Sequence, residues 1–395
     1  MADKTIYLDN ASTTRVRKEV LDEMLPYFME YYGNSASIHA LGKAPREAVK
    51  EAREKIAKVI KANPDEIYFT SGGSESDTWV LKSAVMGPHK KGSHVIVSAI
   101  EHHAILNTCD LLVKSGYKVT YVPVDKYGIV DMDAIEKAIT PETALISVMT
   151  ANNEIGTIEP IREIGALAHK HNVLFHTDAV QAYGQVDIDV TRDNVDFLSA
   201  SAHKLGGPKG VGFLYIRKGV RIDPLICGGE QERGIRGGTT NTPGVVGFGK
   251  AAELAMENME ARAKKERELR DHLVDRVLKE IPYSYLNGHP TQRLPGNANI
   301  SFHFIEGESL LMSLNMKGIC ISTGSACASG SLDPSHVLLA IGLEHQHAHG
   351  SLRFTVSDEN TMEDVDYAVD VLKESVERLR SMSPLYDDFI KYKKA

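Results

Sequence analysis

The sequence predicts an α/β protein in two parts, a large domain on a mostly parallel seven-stranded sheet and a smaller α+β domain. Three observations lead there. From about residue 65 to residue 220, short apolar runs alternate with stretches at helical spacing, and parallel strands need the long crossovers that helices supply. After Thr242 this alternation gives way to long helical patterns with few strand-like runs. No low-complexity tract and no repeat of roughly 20–50 residues interrupts either part.

The strand candidates are Ile67–Thr70, His94–Ser98, Lys118–Pro123, Ala144–Met149, Val173–Thr177, Phe197–Ser201 and Val211–Ile216, with helices such as Ile161–Lys170 between them. The glycine-rich approach to Val211 makes that last strand a candidate for antiparallel insertion. From Val245 to about Ile281 the pattern reads as long helix, with Leu269, Val274, Val277, Leu278 and Ile281 at helical spacing and Pro282 as its stop. Strands follow near Ala298–Phe304 and Ser351–Val356. Thr361, with Asp364 three residues on, opens a last helix in the manner of a capping box. The tail SPLYDDFIKYKKA comes after it and is expected to be a mobile end. Thr5–Leu8 is an isolated apolar piece expected to join the small domain. The expected division is 15–260 for the large domain, and 1–14 with 261–395 for the small one.

Composition excludes several classes. Hydrophobic residues are 42% and charged residues 25% of the chain, a balance that builds a core and does not suit a disordered chain. Lys and Arg number 45 against 53 Asp and Glu, a formal charge of −8. A nucleic-acid surface usually needs a basic surplus, so no nucleic-acid partner is expected. No apolar run approaches the roughly 18 residues of a membrane span, so no membrane partner is expected either. The start MADKTIYLDN carries Asp3, Lys4 and Asp9 and lacks the long apolar stretch of a signal peptide. Four cysteines are too sparse for a disulfide scaffold. A cytoplasmic metabolic enzyme is the expectation.

Lys204, in FLSASAHKLGGPKGVG, ends a strand-like segment and precedes Gly206, Gly207 and Pro208. A partly desolvated lysine there loses its proton and becomes a nucleophile able to form a Schiff base with a carbonyl cofactor. Taken alone, an ordinary surface lysine is the commoner explanation. Asp178, in VLFHTDAVQAYG, ends an apolar strand. A buried carboxylate needs a cationic partner, and the protonated ring nitrogen of pyridoxal phosphate is one; a helix cap is the competing reading. Gln181 lies three residues further on, in reach of the ring's phenolic oxygen. IYFTSGGSESDTW reads as strand, Gly-Gly turn and helix start, where backbone N–H groups bind phosphate, although the same residues make a plain N-cap. Gly247-x-Gly249-x-x-Ala252 has no strand before it and reads as a false dinucleotide motif.

Cys327, in ICISTGSACASGSLDPSHVL, stands among small and polar residues and frequent helix breakers, so it reads as an accessible loop thiol, nucleophilic or redox-active. Cys109 and Cys320 have bulkier apolar neighbours and read as inert. Arg353, in SLRFTV, could fork onto a substrate carboxylate or simply end a strand edge. His102 and His103 follow a strand and could stack on a cofactor ring, move protons, or be solvated. His345, His347 and His349 alternate in what reads as a loop, and no carboxylate or cysteine completes a ligand set, so no intrinsic metal site is expected.

These residues together carry a family likeness. The chain resembles the NifS/IscS-type cysteine desulfurases, of the class V aminotransferase group, over nearly its whole length from YLDNASTT to SPLYDDF. The shared motifs are TSGGSES, EHHA, ANNEIGT, HTDAVQ, SAHKLGGPKG, Arg236–Thr239, GSACASGSLDPSHV and the Arg353 strand. The cysteine loop is similar to the longer, first-group form and not to the shorter SufS-type loop.

The resemblance implies a fold-type I pyridoxal-phosphate transferase with pyridoxal 5'-phosphate bound covalently to Lys204. Asp178 would pair with the pyridine nitrogen, His102 would stack on the ring, and Gln181 and Asn153 would contact its phenolic side or the substrate. Gly73, Ser74, Ser201 and His203 would hold the phosphate. Thr239 would reach the phosphate of a neighbouring subunit, which implies a homodimer. Asn34 and Arg353 would hold the substrate carboxylate. The implied reaction turns L-cysteine into L-alanine. Lys204 takes the Cα proton and the Cys327 thiolate takes the sulfur as a persulfide, for iron–sulfur cluster assembly or other sulfur transfer. An IscU/NifU-type scaffold is the implied acceptor, with only a transient iron–sulfur contact at Cys327 as metal binding.

Three positions depart from the family pattern. Gly73-Ser74 replaces Ala-Thr, Asn34-Ser35 replaces Asn-Pro, and the opening reads DNASTT. None removes a group the chemistry needs. The same residues also suit a selenocysteine lyase, or a class V aminotransferase in which Cys327 is incidental. A non-catalytic sulfur relay is disfavoured by Lys204, Asp178 and Cys327 occurring together.

Overall fold

The computed structural model describes residues 5–323 and 334–394. The first strand, β1 (Ile6–Tyr7), belongs to the small part of the molecule. The next seven are β2 (Ile67–Thr70), β3 (His94–Ser98), β4 (Lys118–Val122), β5 (Thr143–Ser147), β6 (Leu174–Asp178), β7 (Phe197–Ser201) and β8 (Gly212–Ile216). They form one sheet in the order β2-β8-β7-β6-β5-β3-β4. All seven are the expected strands, with ends shifted by at most two residues.

Strands β3 to β7 pair in parallel. β8 runs antiparallel to both β7 and β2, as the glycine-rich approach suggested. The link from Ser201 to Gly212 is too short for a crossover, so the chain must turn back. Both faces of the sheet are covered. Phe69, Ile96, Ile146, Phe175 and Leu198 enter one core, and Val95, Val97, Leu145, Phe197 and Leu214 enter the other. That is why the central strands read as short apolar-rich runs without alternation, whereas β4, at the edge, is partly exposed.

The long helix expected after Thr242 is two helices, Thr242–Glu257 and Met259–Glu280. Asn258 separates them with a non-helical backbone (φ −115°, ψ 12°), and its carbonyl accepts from Arg262 N–H to start the second. The first helix packs on the large core and the second on the small one. On the second, Leu269 and Val277 are buried, while Leu278 faces solvent and Leu273 takes the inward place. Gly247 and Gly249 serve the packing of the first. A Cβ on Gly249 would lie 2.7 Å from Ala52 Cα in the helix Ala40–Val59.

The small part holds β9 (Ser284–Asn287), β10 (Asn297–Phe302), β11 (Ile319–Cys320), β12 (Ser322–Thr323) and β13 (Ser351–Thr355). Four of them form an antiparallel sheet in the order β12-β13-β10-β9, and β11 pairs in parallel with β1. Ile6 and Leu8 therefore enter the small core beside Leu269, Ile300 and Phe354. Thr361 and Asp364 form a full capping box at the start of the helix Met362–Ser381. The tail is a further helix, Pro384–Lys394, not a loose end. Its Phe389 ring meets Tyr283 and Phe304 at 5.1 and 4.8 Å, an aromatic anchor that helical spacing supplies.

The free edge of β2 is closed by side chains. Phe69 N–H donates to Glu232 Oε2 at 2.9 Å, and the carbonyl of Ile67 accepts from Arg53 and Arg233. Arg53 also forks onto Glu232 at 2.8 and 2.9 Å. Glu232 and Arg233 both take left-handed backbone, φ 45° and 57°, to bring their side chains there. Among the described residues no helix is long and apolar enough to cross a membrane.

Candidate active site

The C-terminal ends of adjacent parallel strands deliver the chemistry-bearing groups to one place, as open α/β sheets do. Asp178 is the last residue of β6 and is 6% exposed. β7 ends at Ser201, and the 3₁₀ turn Ala202–Lys204 follows at once. Lys204 Nζ donates to the carbonyls of Ala11 and Ser12 at 2.5 and 2.9 Å. Gln181 Nε2 donates to the same Ala11 carbonyl at 2.9 Å. The segment after β1 therefore lies against both side chains.

Burial pushes the Asp178 carboxyl up to about 6, while the Val180 N–H it accepts and the nearby Lys204 charge pull it down. A ring N–H⁺ placed against it would add to the cationic help that Lys204 already gives this buried carboxyl. His102 caps the helix His103–Lys114, its Nδ1 accepting from Ala104 N–H at 3.1 Å. The ring proton is thereby left on Nε2. Burial, then the charge of Lys204, lowers His102 to about 4, so its ring is neutral over the physiological range.

Gly73 is the first residue of the helix Gly73–Val85, with Gly72 as N-cap. A Cβ on Gly72 would lie 3.7 Å from Ser201 Oγ, which puts that hydroxyl beside the turn. A Cβ on Gly73 would lie 2.5 Å from Val180 Cγ2. Val180 thus fills the space a methyl at this position would need. Ser74 is exposed. The open N–H groups of this helix, the Ser201 hydroxyl, Asp178 and Lys204 fit a pyridoxal phosphate by its phosphate, ring nitrogen and aldehyde in turn.

Other expected residues fall in several places. His203 Nδ1 pairs with Thr13 Oγ1 at 3.1 Å, and the His203 carbonyl accepts from Thr14, which ties the lysine turn to the first segment. Arg353, on β13 and 2% exposed, donates from Nη1 to the Asn153 carbonyl at 3.0 Å. From Nη2 it donates to Asp9 Oδ1 at 2.9 Å and Ser12 Oγ at 2.7 Å. Its Nε–H is buried without a hydrogen-bond partner among the described residues. Asn34 is exposed and accepts from Ala36 N–H in a local turn, and among the described residues it makes no hydrogen bond to Arg353. Thr239 is exposed and close in sequence to Arg236, which forks onto Glu75 in the first turn of the Gly73 helix. Cys327 lies outside the described residues. On its two sides, β12 pairs with the Arg353 strand and the Ser335 hydroxyl donates to Glu154 Oε2.

Three cysteines are described. Cys109 is buried and pushed up to about 12, as expected of an inert thiol; Cys320 is half-buried on β11; Cys227 is exposed. His345–His349 is a short helix where a loop was expected, and His347 stacks on His303 at 3.7 Å. Among the described residues no group of three or more His, Cys, Asp or Glu could hold a metal.

Sequence reasoning missed the carboxyls behind the site. Asp77, Glu101 and Glu154 are all buried. Only the apolar neighbours of Asp77, with Trp79, Val80 and Leu81 following it, hinted that its face of the helix is buried.

Comparison with known proteins agrees with this geometry. The aminotransferase class-V family model matches residues 6–368. A protein from Methanosarcina thermophila described as cysteine desulfurase IscS is 55% identical over 383 residues, 97% of this chain and 95% of that one. One from Clostridium botulinum with the same description is 55% identical over 99% of both chains. Among solved structures, a NifS-like protein superposes with a TM-score of 0.90 at 40% identity, over 95% of this chain and all (100%) of the other. A structure described as SspA in complex with cysteine gives 0.80 at 37% identity, over 89% and 99%.

Proposed function

The chain belongs to the class-V aminotransferases and, among them, to the cysteine desulfurases, and from that premise we propose that it converts L-cysteine to L-alanine and passes the sulfur to Cys327 as a persulfide. The observation that carries the reading is the placement of Lys204 and Asp178 at the ends of neighbouring strands beside the helix start at Gly73. Pyridoxal 5'-phosphate, when bound, supplies the electron sink that lets the substrate's Cα–H and C–S bonds weaken.

The chain's own groups do the rest. Lys204 would hold the cofactor, and its Nζ would serve as the group that takes the Cα proton. Asp178 would keep the ring nitrogen protonated. His102, neutral and with its ring proton on Nε2, would lie against the ring. Gly73, Ser74, Ser201 and His203 serve the phosphate side, and Gln181 and Asn153 the phenolic side. Arg353, with Asn34, holds the substrate carboxylate. The Cys327 thiolate forms a bond to the substrate sulfur as the C–S bond breaks, so that alanine leaves and the thiol becomes a persulfide. Atoms balance without an external oxidant.

A homodimer belongs to the same reading, with Thr239 reaching the partner's phosphate. Its support is an apolar stretch open to solvent between Leu21 and Leu41, where Met29 is 81% and Ile38 98% exposed. An IscU/NifU-type acceptor, a cytoplasmic setting and a division near residue 260 complete it; the break at Asn258 supports that boundary. The test is intact mass with peptide mapping after L-cysteine and no reductant. One added sulfur on the Cys327 peptide is expected. No addition with cofactor bound overturns the persulfide route, as does persulfide turnover in Cys327→Ser.

A further inference from the structure

Behind Asp178 lies a group of buried carboxyls that the reaction does not use. Asp77 is 1% exposed and Glu101 is fully buried. Asp77 Oδ1 and Glu101 Oε2 have no hydrogen-bond partner, and neither side chain pairs with a lysine or arginine among the described residues. Four groups from three elements face Asp77: His176 and Asp178 on β6, Ser199 on β7, and Glu101 just past β3. His176 Nε2 stands 3.7 Å from Asp77 Oδ1, but it is no cation. Its two ring nitrogens pair with the Ser147 and Ser199 hydroxyls at 2.8 and 3.0 Å, and burial lowers it to about 3.

Two facing carboxyls in a water-excluded space cannot both ionise cheaply, and the proton goes to the one with less cationic help. Lys204 acts on Asp178, and a protonated ring nitrogen would add to it. Nothing comparable faces Asp77. Burial, then Asp178 itself, drives Asp77 well above the usual carboxylate range.

We propose that Asp77 is a proton-bearing, neutral carboxyl at working pH, a positioning residue whose held proton leaves Asp178 as the single anion at the end of β6. The proposal rests on the reading of Asp178 as the partner of the ring nitrogen. Its consequence is that the ring pairs with one negative charge and not two. An ionised Asp77 would instead share Asp178's cation and draw it back toward the helix.

Infrared spectra of the holoenzyme carrying carboxyl-labelled ¹³C-aspartate test this. One isotope-shifted band of a protonated aspartic acid is expected near neutral pH, and it is lost in Asp77→Asn. No such band, two bands, or one band that survives in Asp77→Asn overturns the proposal. If that variant does not fold, Asp178→Asn replaces it. The band persists there if Asp77 carries the proton and disappears if Asp178 does, which is again the overturning result. The apo chain separates the two readings. A band present without cofactor, in a chain that then fails to bind cofactor, sinks the functional reading and leaves the proton on Asp77.

Discussion

Arg353 Nη2 and Asp9 Oδ1 lie 2.9 Å apart across 344 residues of sequence. The pair fastens the segment after β1 to a strand of the small sheet, at the point where Asn153 and Ser12 also hold the guanidinium. Breaking one side of a buried pair leaves an uncompensated charge. Asp9→Asn is therefore expected to lose about 3 kcal/mol of unfolding free energy and to raise KM for L-cysteine more than it lowers kcat. Urea unfolding and steady-state kinetics check both. An unchanged KM would separate Arg353 from the substrate carboxylate.

Lys204→Ala removes the covalent attachment and the proton acceptor together. Turnover is expected to fall by about 100- to 10,000-fold, the usual span for a lost acid–base group. Cofactor should still bind through Asp178 and the helix start, but wash out on dialysis. Absorbance before and after dialysis, beside single-turnover alanine release, distinguishes this from misfolding.

Gly73→Ala places a methyl where Val180 Cγ2 already sits, 2.5 Å away. Overpacking of this kind costs about 1–3 kcal/mol. The single variant should lose stability and cofactor affinity, and Gly73→Ala with Val180→Ala should recover most of both. Thermal unfolding and cofactor titration of the two singles and the double reveal the coupling. Additive effects would count against the contact.

Burial holds Glu159 protonated up to about 8, helped by the nearby Asp125 and opposed by the Val130 N–H it accepts. Its unfolded carboxyl ionises near 4.5. Between those values the folded chain binds more protons than the unfolded one, so this contribution is complete below pH 4.5 and falls as pH rises toward 8. Glu159→Gln removes the loss. Relative to wild type it should gain on the order of 2 kcal/mol between about pH 6 and pH 8, read as a shift between their urea midpoints. A constant difference would place the carboxyl's ionisation elsewhere.

His102, His203 and His176 act in the opposite sense. Burial lowers them to about 4, 4 and 3. The unfolded chain binds the extra protons below about 6.5, so the stability they supply is present above that value and is lost as pH falls through 4. Acid unfolding of His176→Asn should consequently begin at lower pH than that of wild type. An earlier onset would count against burial of a neutral His176.

The large sheet was legible because its central strands are buried on both faces and carry short apolar-rich runs, as in His94–Ser98. Lys204 and Asp178 were legible because a charged residue at the end of such a run is conspicuous. The small part was less so. Ile319–Cys320 and Ser322–Thr323 are two residues each, below any periodic signal, and exist because neighbouring strands pair with them. Asn258 interrupts a helical pattern without a glycine or proline to announce it. The tail helix owes its place to Phe389 meeting rings about a hundred residues earlier in the chain. Asp77 escaped notice because, in SESDT, a polar residue early in a helix resembles a solvated one until the fold encloses it. His203 and Asn34 carry family motifs, but which neighbour each one bonds depends on loops whose course no spacing rule sets.

The side chains on the outer rim of β2 have a consequence for how the protein behaves at high concentration. An open strand edge invites a strand from another molecule, the first step toward aggregation. Here Glu232 has taken the Phe69 amide, and two arginines have taken the Ile67 carbonyl. A newcomer would have to displace an ion pair before making its first bond. The rim therefore acts as a guard for colloidal stability, and its two left-handed residues, unfavourable in isolation, are tolerated for that protection.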